Sequence, residues 1–133
     1  MSRLFLVVLF GLVFLAGCGR SSPAQEDEKK ASFTIITQEE AKKMMDSGQD
    51  VIIMDVRTQA EYDEGHIPGT LLLPNESIGT QEIEDLPDKE QTILVYCRSG
   101  NRSKQAAQKL AELGYTNIYE FGGIITWPYE IVK

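Results

Sequence analysis

Beyond residue 32 the apolar positions fall into two patterns, short continuous runs and longer stretches with helical spacing. Phe33 to Ile36, Val51 to Met54, Thr70 to Leu73, Thr92 to Tyr96 and Asn117 to Phe121 are runs of strand length. Val51 to Met54 is apolar throughout, which predicts a strand covered on both faces, as in a parallel sheet; Thr70 to Leu73 and Thr92 to Tyr96 look similar. Between the runs, Thr37 followed three residues later by Glu40 forms a capping box. It opens a helix with Ala41, Met44 and Met45 on one face, and Ser47-Gly48 ends it. Gln59 to Glu64 predicts a helical turn, followed by a turn over Gly65 to Gly69. From Ser103 to Leu113, Ala106, Ala107, Leu110 and Leu113 fit one helix face, with Lys109 in the last turn and Gly114 where a C-terminal cap belongs. The polar stretch Glu76 to Asp88 predicts no defined element. Strands alternating with helices over short connections predict an α/β domain over residues 33–133, of about a hundred residues, with a mostly parallel sheet. Ligands of such sheets bind at the carboxyl ends of the strands.

The amino terminus follows a different rule. Arg3 precedes Leu4 to Ala16, thirteen residues without a polar side chain, and the next charge is Arg20. A positive start and an apolar core shorter than the roughly 20 residues of a membrane span predict an export signal over residues 1–17. The run ends Leu15-Ala16-Gly17-Cys18, which resembles the bacterial lipobox. That resemblance implies cleavage before Cys18, lipidation of its sulfur and a lipid-anchored protein on the extracytoplasmic face of the cell membrane. Residues 18–32 are small or charged and lack apolar periodicity, so they are expected to form a flexible linker. Its fourteen residues after Cys18 reach at most about 50 Å.

Composition narrows the chemistry. The chain carries 20 Asp and Glu against 13 Lys and Arg, a formal charge of -7, which argues against a nucleic-acid partner. One histidine, His66, and two cysteines, Cys18 and Cys97, leave no spacing typical of structural zinc, haem or Cys-x-x-Cys redox sites. Neither metal nor cofactor is expected.

The informative place is the end of the strand Thr92 to Tyr96, where Cys97-Arg98-Ser99-Gly100-Asn101-Arg102 leads into the last helix. A cysteine at a strand-to-helix turn is met by backbone N–H groups and by the positive field of a helix amino terminus. Arg98 and Arg102 add positive charge, so the thiolate of Cys97 is favoured and nucleophilic.

Asp55-Val56-Arg57, Glu61-Tyr62, Gly65-His66-Ile67-Pro68-Gly69, the loop Cys97 to Arg102, and Gly122-Gly123 with Trp127 together resemble a single-domain rhodanese. The likeness spans about Phe33 to Lys133 and implies the rhodanese fold, a five-stranded, mainly parallel sheet with helices on both sides. It also implies a sulfurtransferase. Cys97 would attack the outer sulfur of a small anionic donor such as thiosulfate, release sulfite and hold a persulfide for a cyanide or thiol acceptor. The backbone of Arg98, Ser99, Gly100, Asn101 and Arg102 would bind the donor and the persulfide, helped by the two arginine side chains. Thr70 and Leu72 depart from the common Ala and Asn of the family, a difference expected to affect packing only.

The remaining polar residues read as structural. Arg57 and Glu61, four apart, are expected to pair across the turn after their strand, and His66 to hydrogen-bond within its own turn. Gly122-Gly123 is expected to let the backbone pass closely under the cysteine loop, and Trp127 to pack the core. Two other functions use similar residues. A phosphatase or arsenate reductase also sets a Cys and an Arg around an oxyanion, but cysteine phosphatases have a longer loop than the four residues between Cys97 and Arg102. A persulfide carrier or partner-binding module would retain Cys97 without fast turnover.

Overall fold

The computed structural model describes residues 30–133. The export signal 1–17, the lipidation site Cys18 and most of the expected linker lie outside the described residues. Ala31, near the linker's end, already packs on the domain, and its carbonyl accepts from the Gln108 side chain.

Five strands form the sheet: β1 (Thr34–Ile35), β2 (Val51–Asp55), β3 (Thr70–Leu72), β4 (Thr92–Cys97) and β5 (Asn117–Gly123). Their order is β1-β5-β4-β2-β3, and every neighbouring pair is parallel. Three α-helices connect them: α1 (Gln38–Asp46), α2 (Gln59–Glu64) and α3 (Asn101–Glu112). Two 3-10 turns, Asn75–Ser77 and Ile124–Thr126, complete the regular structure.

The central strand β4 shows why the sheet needs cover on both sides. Ile93, Val95 and Cys97 face one way, against Ala106, Ala107 and Leu110 of α3; Leu94 and Tyr96 face the other, towards Ala41 of α1 and Phe121. On α3 the buried positions Ser103, Ala106, Ala107, Leu110 and Ala111 form one stripe of helical spacing. Both α1 and α2 start in capping boxes, Thr37 with Glu40 and Thr58 with Glu61.

One local expectation changes. The last helix begins at Asn101 rather than Ser103, because Gly100, at φ 105°, turns the chain directly into it. Arg102 and Asn101 therefore belong to its first turn, and Ser103 lies inside it. The polar stretch after residue 75 forms no helix or strand beyond the turn Asn75–Ser77, yet Ile78 and Leu86 are buried on the α3 side of the sheet. Those apolar residues are too irregularly spaced to match a helix or strand period, so only tertiary packing defines the segment.

Gly123 holds β5 and the cysteine loop together. In the register Cys97 pairs with Gly123 after an irregularity in the ladder between Val95 and Cys97. A Cβ on Gly123 would stand 1.9 Å from the Arg98 carbonyl oxygen and 2.6 Å from the Ser99 Cα. No side chain fits there, as expected of the paired glycines. Gly123→Ala is expected to cost about 1–3 kcal/mol in denaturant unfolding, as overpacking does. Gly79→Ala, with nothing within 4 Å of the added carbon, is expected to stay within about 0.5 kcal/mol. Equal unfolding midpoints for the two variants would contradict the close approach.

Candidate active site

Cys97 ends β4 and is 1% exposed. Three residues later the chain has already reversed, and the Gly100 amide donates to the Cys97 sulfur at 3.0 Å. The first residues of α3 add N–H groups that no preceding turn can satisfy, together with the positive end of the helix. The Ser103 hydroxyl oxygen lies 3.4 Å from the sulfur. Burial pushes the Cys97 thiol up; the hydrogen bond between the sulfur and the Ser103 hydroxyl and those from the amides of Ser103, Gly100 and Ser99 outweigh it, leaving the pKa below the ordinary thiol value. The sulfur therefore sits where an anion is held by backbone rather than by side-chain charge.

The loop residues divide in their roles. Gly100 is buried and supplies the amide on the sulfur. Arg98 and Ser99 are exposed at the tip, with the Arg98 carbonyl accepting from the Ile125 amide. Asn101 is exposed on the first turn of α3. Arg102 is already paired with a carboxylate. Its guanidinium forms a two-pronged bond with Glu61, both contacts at 2.8 Å, which pins α3 to α2. That bond, more than the Thr58 contacts at the helix start, draws the Glu61 carboxyl down to about 2 despite partial burial.

The expected pairing of Arg57 with Glu61 does not form. Arg57 precedes the amino cap of α2, so helical four-residue spacing does not bring the two together. Instead Arg57 turns inward to Asp55, with its Nη2 at 2.7 Å, and to the Gly65 carbonyl at 2.8 Å. Asp55 also accepts from the Tyr96 hydroxyl at 2.7 Å, and that hydroxyl accepts from the Ile67 amide. Burial and the Asp55 carboxylate both push the Tyr96 phenol up, so it remains a donor. This buried group ties β2 and β4 to the turn before β3. His66 behaves as expected: its ring Nδ1 contacts the Tyr62 carbonyl at 2.9 Å, and the two rings stack. Trp127 packs on Phe121.

A cleft beside the loop is lined by Arg57, Glu61, Glu64, Arg98, Ile124 and Ile125. With Arg57 and Arg102 each bonded to a carboxylate, Arg98 is, among the described residues, the free cation of this mouth. Among the described residues no three His, Cys, Asp or Glu side chains gather as a metal site, and no helix is long and apolar enough to cross a membrane.

Sequence reasoning missed Ser103 beside the sulfur and Glu120 behind it. Ser103 is the first member of the buried α3 stripe, a position its spacing from Ala106, Ala107 and Leu110 marks. Glu120 is 1% exposed and accepts from the Ser103 hydroxyl at 2.6 Å. Its signal was a carboxylate at a core position of a strand, two residues after buried Ile118.

The Glu61–Arg102 bond makes a pH-dependent contribution to stability. Glu61 has a folded pKa below its unfolded value, so the contribution is complete above about 4.5 and is lost as pH falls towards about 2. Glu61→Gln is expected to lower stability by about 1 kcal/mol at neutral pH, the bond being partly exposed. In unfolding curves the gap to the parent should close as pH falls through that window. A gap that stays constant to low pH would rule the bond out as its source.

Comparison with known proteins agrees with this geometry. The family profile described as the rhodanese-like domain matches residues 37–127. The thiosulfate sulfurtransferase GlpE of Coxiella burnetii is 41% identical over 80 residues, 59% of this chain and 73% of that one. The thiosulfate sulfurtransferase PspE of Escherichia coli is 35% identical over 71 residues, 53% and 68% of the two chains. Among solved structures, a rhodanese with anions from E. coli superposes with a TM-score of 0.57 at 33% identity, covering 62% of this chain and 98% of that one. The human single-domain sulfurtransferase TSTD1 gives a TM-score of 0.61 at 26% identity, covering 69% and 91%. A parallel five-stranded sheet, a cysteine in an amide-lined turn and these relatives lead to one conclusion: the chain belongs to the rhodanese-like domain family and is an enzyme of the sulfurtransferase type.

Proposed function

We propose that this protein moves a sulfane sulfur from thiosulfate or a related anionic donor to cyanide or a thiol through a persulfide on Cys97. The observation that carries the reading is the Cys97 sulfur at 3.0 Å from the Gly100 amide, with its pKa held below the ordinary thiol range. The thiolate attacks the outer sulfur of thiosulfate; the new S–S bond forms as the old one breaks, and sulfite leaves with the electron pair. The outer sulfur then carries the negative charge, and the loop amides stabilise it as they stabilise the thiolate. Cyanide attacks that sulfur, thiocyanate leaves, and the Cys97 thiolate returns. No base is needed, since the attacking group is already an anion.

Arg98 draws the donor to the mouth, while Arg102 acts through position, holding the first turn of α3 against α2. This turns Arg102 away from the oxyanion-clamping role that a phosphatase or arsenate reductase would give it. A persulfide carrier serving a protein acceptor is favoured by one feature: Ile125, 63% exposed, lines the mouth beside Arg98. Cys18 carries the lipid in this reading, and the domain works at the extracytoplasmic face of the cell membrane on its linker. The apolar run before Cys18 supports that placement.

The full chain in detergent, mixed with thiosulfate and weighed intact, is expected to gain about one sulfur atom, and Cys97→Ser none. Loading should persist below the ordinary thiol pKa and fade as pH drops through the lowered one, because the thiolate is then protonated. Cyanide should discharge the sulfur over many cycles for an enzyme and once per chain for a carrier. Parent and variant both remaining unloaded would overturn the reading.

A further inference from the structure

The cleft beside the cysteine loop is walled by four charged side chains, Arg57, Glu61, Glu64 and Arg98, and two of them are occupied by the fold. Arg57 is bonded to Asp55, and Glu61 to Arg102. The other two, Arg98 and Glu64, are exposed and enter none of the ion pairs among the described residues. Glu64 is the less expected of the two. It ends α2, where the unpaired carbonyls of a helix disfavour an anion, and no basic residue shares that last turn. Its neighbour Asp63 is at least held by the Gln59 side chain at 2.8 Å. Nor does the transfer described above use Glu64, since thiosulfate and cyanide are anions that a carboxylate at the mouth repels. A cleft of about 350 Å³ with one free cation, one free anion and the apolar Ile124 and Ile125 suits a small molecule that carries both charges.

We propose that Glu64 and Arg98 form a charge-selecting subsite for the acceptor, and that the acceptor is a small thiol bearing both an ammonium and a carboxylate group. Arg98 takes the carboxylate and Glu64 the ammonium, and these two contacts orient the thiol sulfur over the loop. The acceptor enters as its thiolate. Its sulfur bonds to the outer sulfur of the Cys97 persulfide, the bond from that sulfur to Cys97 breaks, and the electron pair stays on Cys97 as the thiolate. The acceptor leaves as a persulfide of its own, and the step needs no further reactant.

Arg98 then serves both halves of the cycle, drawing the donor first and holding the acceptor's carboxylate second. Glu64 serves the second half alone, so it decides which thiols are used rather than whether sulfur is loaded. The proposal rests on the Cys97 persulfide, and its test separates the failure of one from the failure of the other.

The test uses the full chain carrying Cys18→Ser, which leaves Cys97 as its one thiol. The protein is loaded with thiosulfate, freed of donor and weighed intact. Loss of the added sulfur is then timed with cysteine, cysteamine, 3-mercaptopropionate and 2-mercaptoethanol. Each rate is divided by that of the uncharged 2-mercaptoethanol, and each variant's ratios are compared with the parent's, so that the intrinsic reactivity of each thiol cancels. Glu64→Gln is expected to lower the cysteine and cysteamine ratios about two- to fivefold, the strength of an exposed charge pair. Glu64→Lys should lower them further and raise the 3-mercaptopropionate ratio. Arg98→Gln should lower the ratios of the two thiols that carry a carboxylate. Glu112→Lys, the same charge change at the far end of α3, should move none of them. The preferences should fade in about 1 M salt. A parent that takes up no sulfur would sink the transfer reading, and the subsite is then read by offering the same four groups as symmetrical disulfides to unloaded Cys97, with the same pattern expected in the mixed disulfides. Ratios that stay fixed in Glu64→Lys, or that move equally in Glu112→Lys, would overturn the subsite.

Discussion

The site depends on two backbones lying closer than any side chain would allow. Where β5 ends, Gly123 passes directly beneath the Arg98 carbonyl and the Ser99 Cα, at a separation where even a methyl group would collide. With β5 as a floor, the chain after Cys97 cannot continue along the sheet and must rise and turn back. Gly100, in a left-handed conformation, completes the reversal and starts α3. The curl brings N–H groups onto a sulfur that is otherwise enclosed by core residues. A buried thiol would ordinarily stay protonated; here hydrogen bonding to the sulfur overcomes the cost of burial.

Around this curl, two arginines hold elements together. Arg57 closes on Asp55 under the β2–β3 turn, and Arg102 closes on Glu61 between α3 and α2. Glu61 has two tasks at once, since its carboxylate also caps α2 through Thr58. Arg57 and Arg102 thus fix the walls, the backbone amides face the sulfur, and among the described residues Arg98 is the cation at the mouth without a carboxylate partner. Fixed dipoles suit the proposed transfer, in which the negative charge would move only one atom outward, from Cys97 to the attached sulfur, within reach of the same amides.

Much of this arrangement was legible in the chain before its fold was known. Continuous apolar runs announced strands buried on two faces and a mostly parallel sheet, and all four neighbouring strand pairs are indeed parallel. Thr37 with Glu40 marked the start of α1, and the loop around Cys97 marked the site. What escaped were contacts between residues far apart in sequence. Arg102 finds Glu61 forty-one positions away, and Ser103 finds Glu120 seventeen positions away. Local spacing pointed instead to Arg57 as the partner of Glu61, a rule that holds only inside a helix. Ile78 and Leu86 escaped for a similar reason, being anchored by the surface of α3 and the sheet rather than by any periodicity of their own.

The central claim is that the amides of Ser99, Gly100 and Ser103 hold the Cys97 sulfur as an anion. The most direct measurement follows the amide proton signals of the protein by NMR while pH carries Cys97 from thiol to thiolate. The account predicts that those three signals move furthest downfield, together, through a pH range below that of an ordinary thiol. Small shifts at these amides, or movement only at or above the ordinary thiol range, would contradict it.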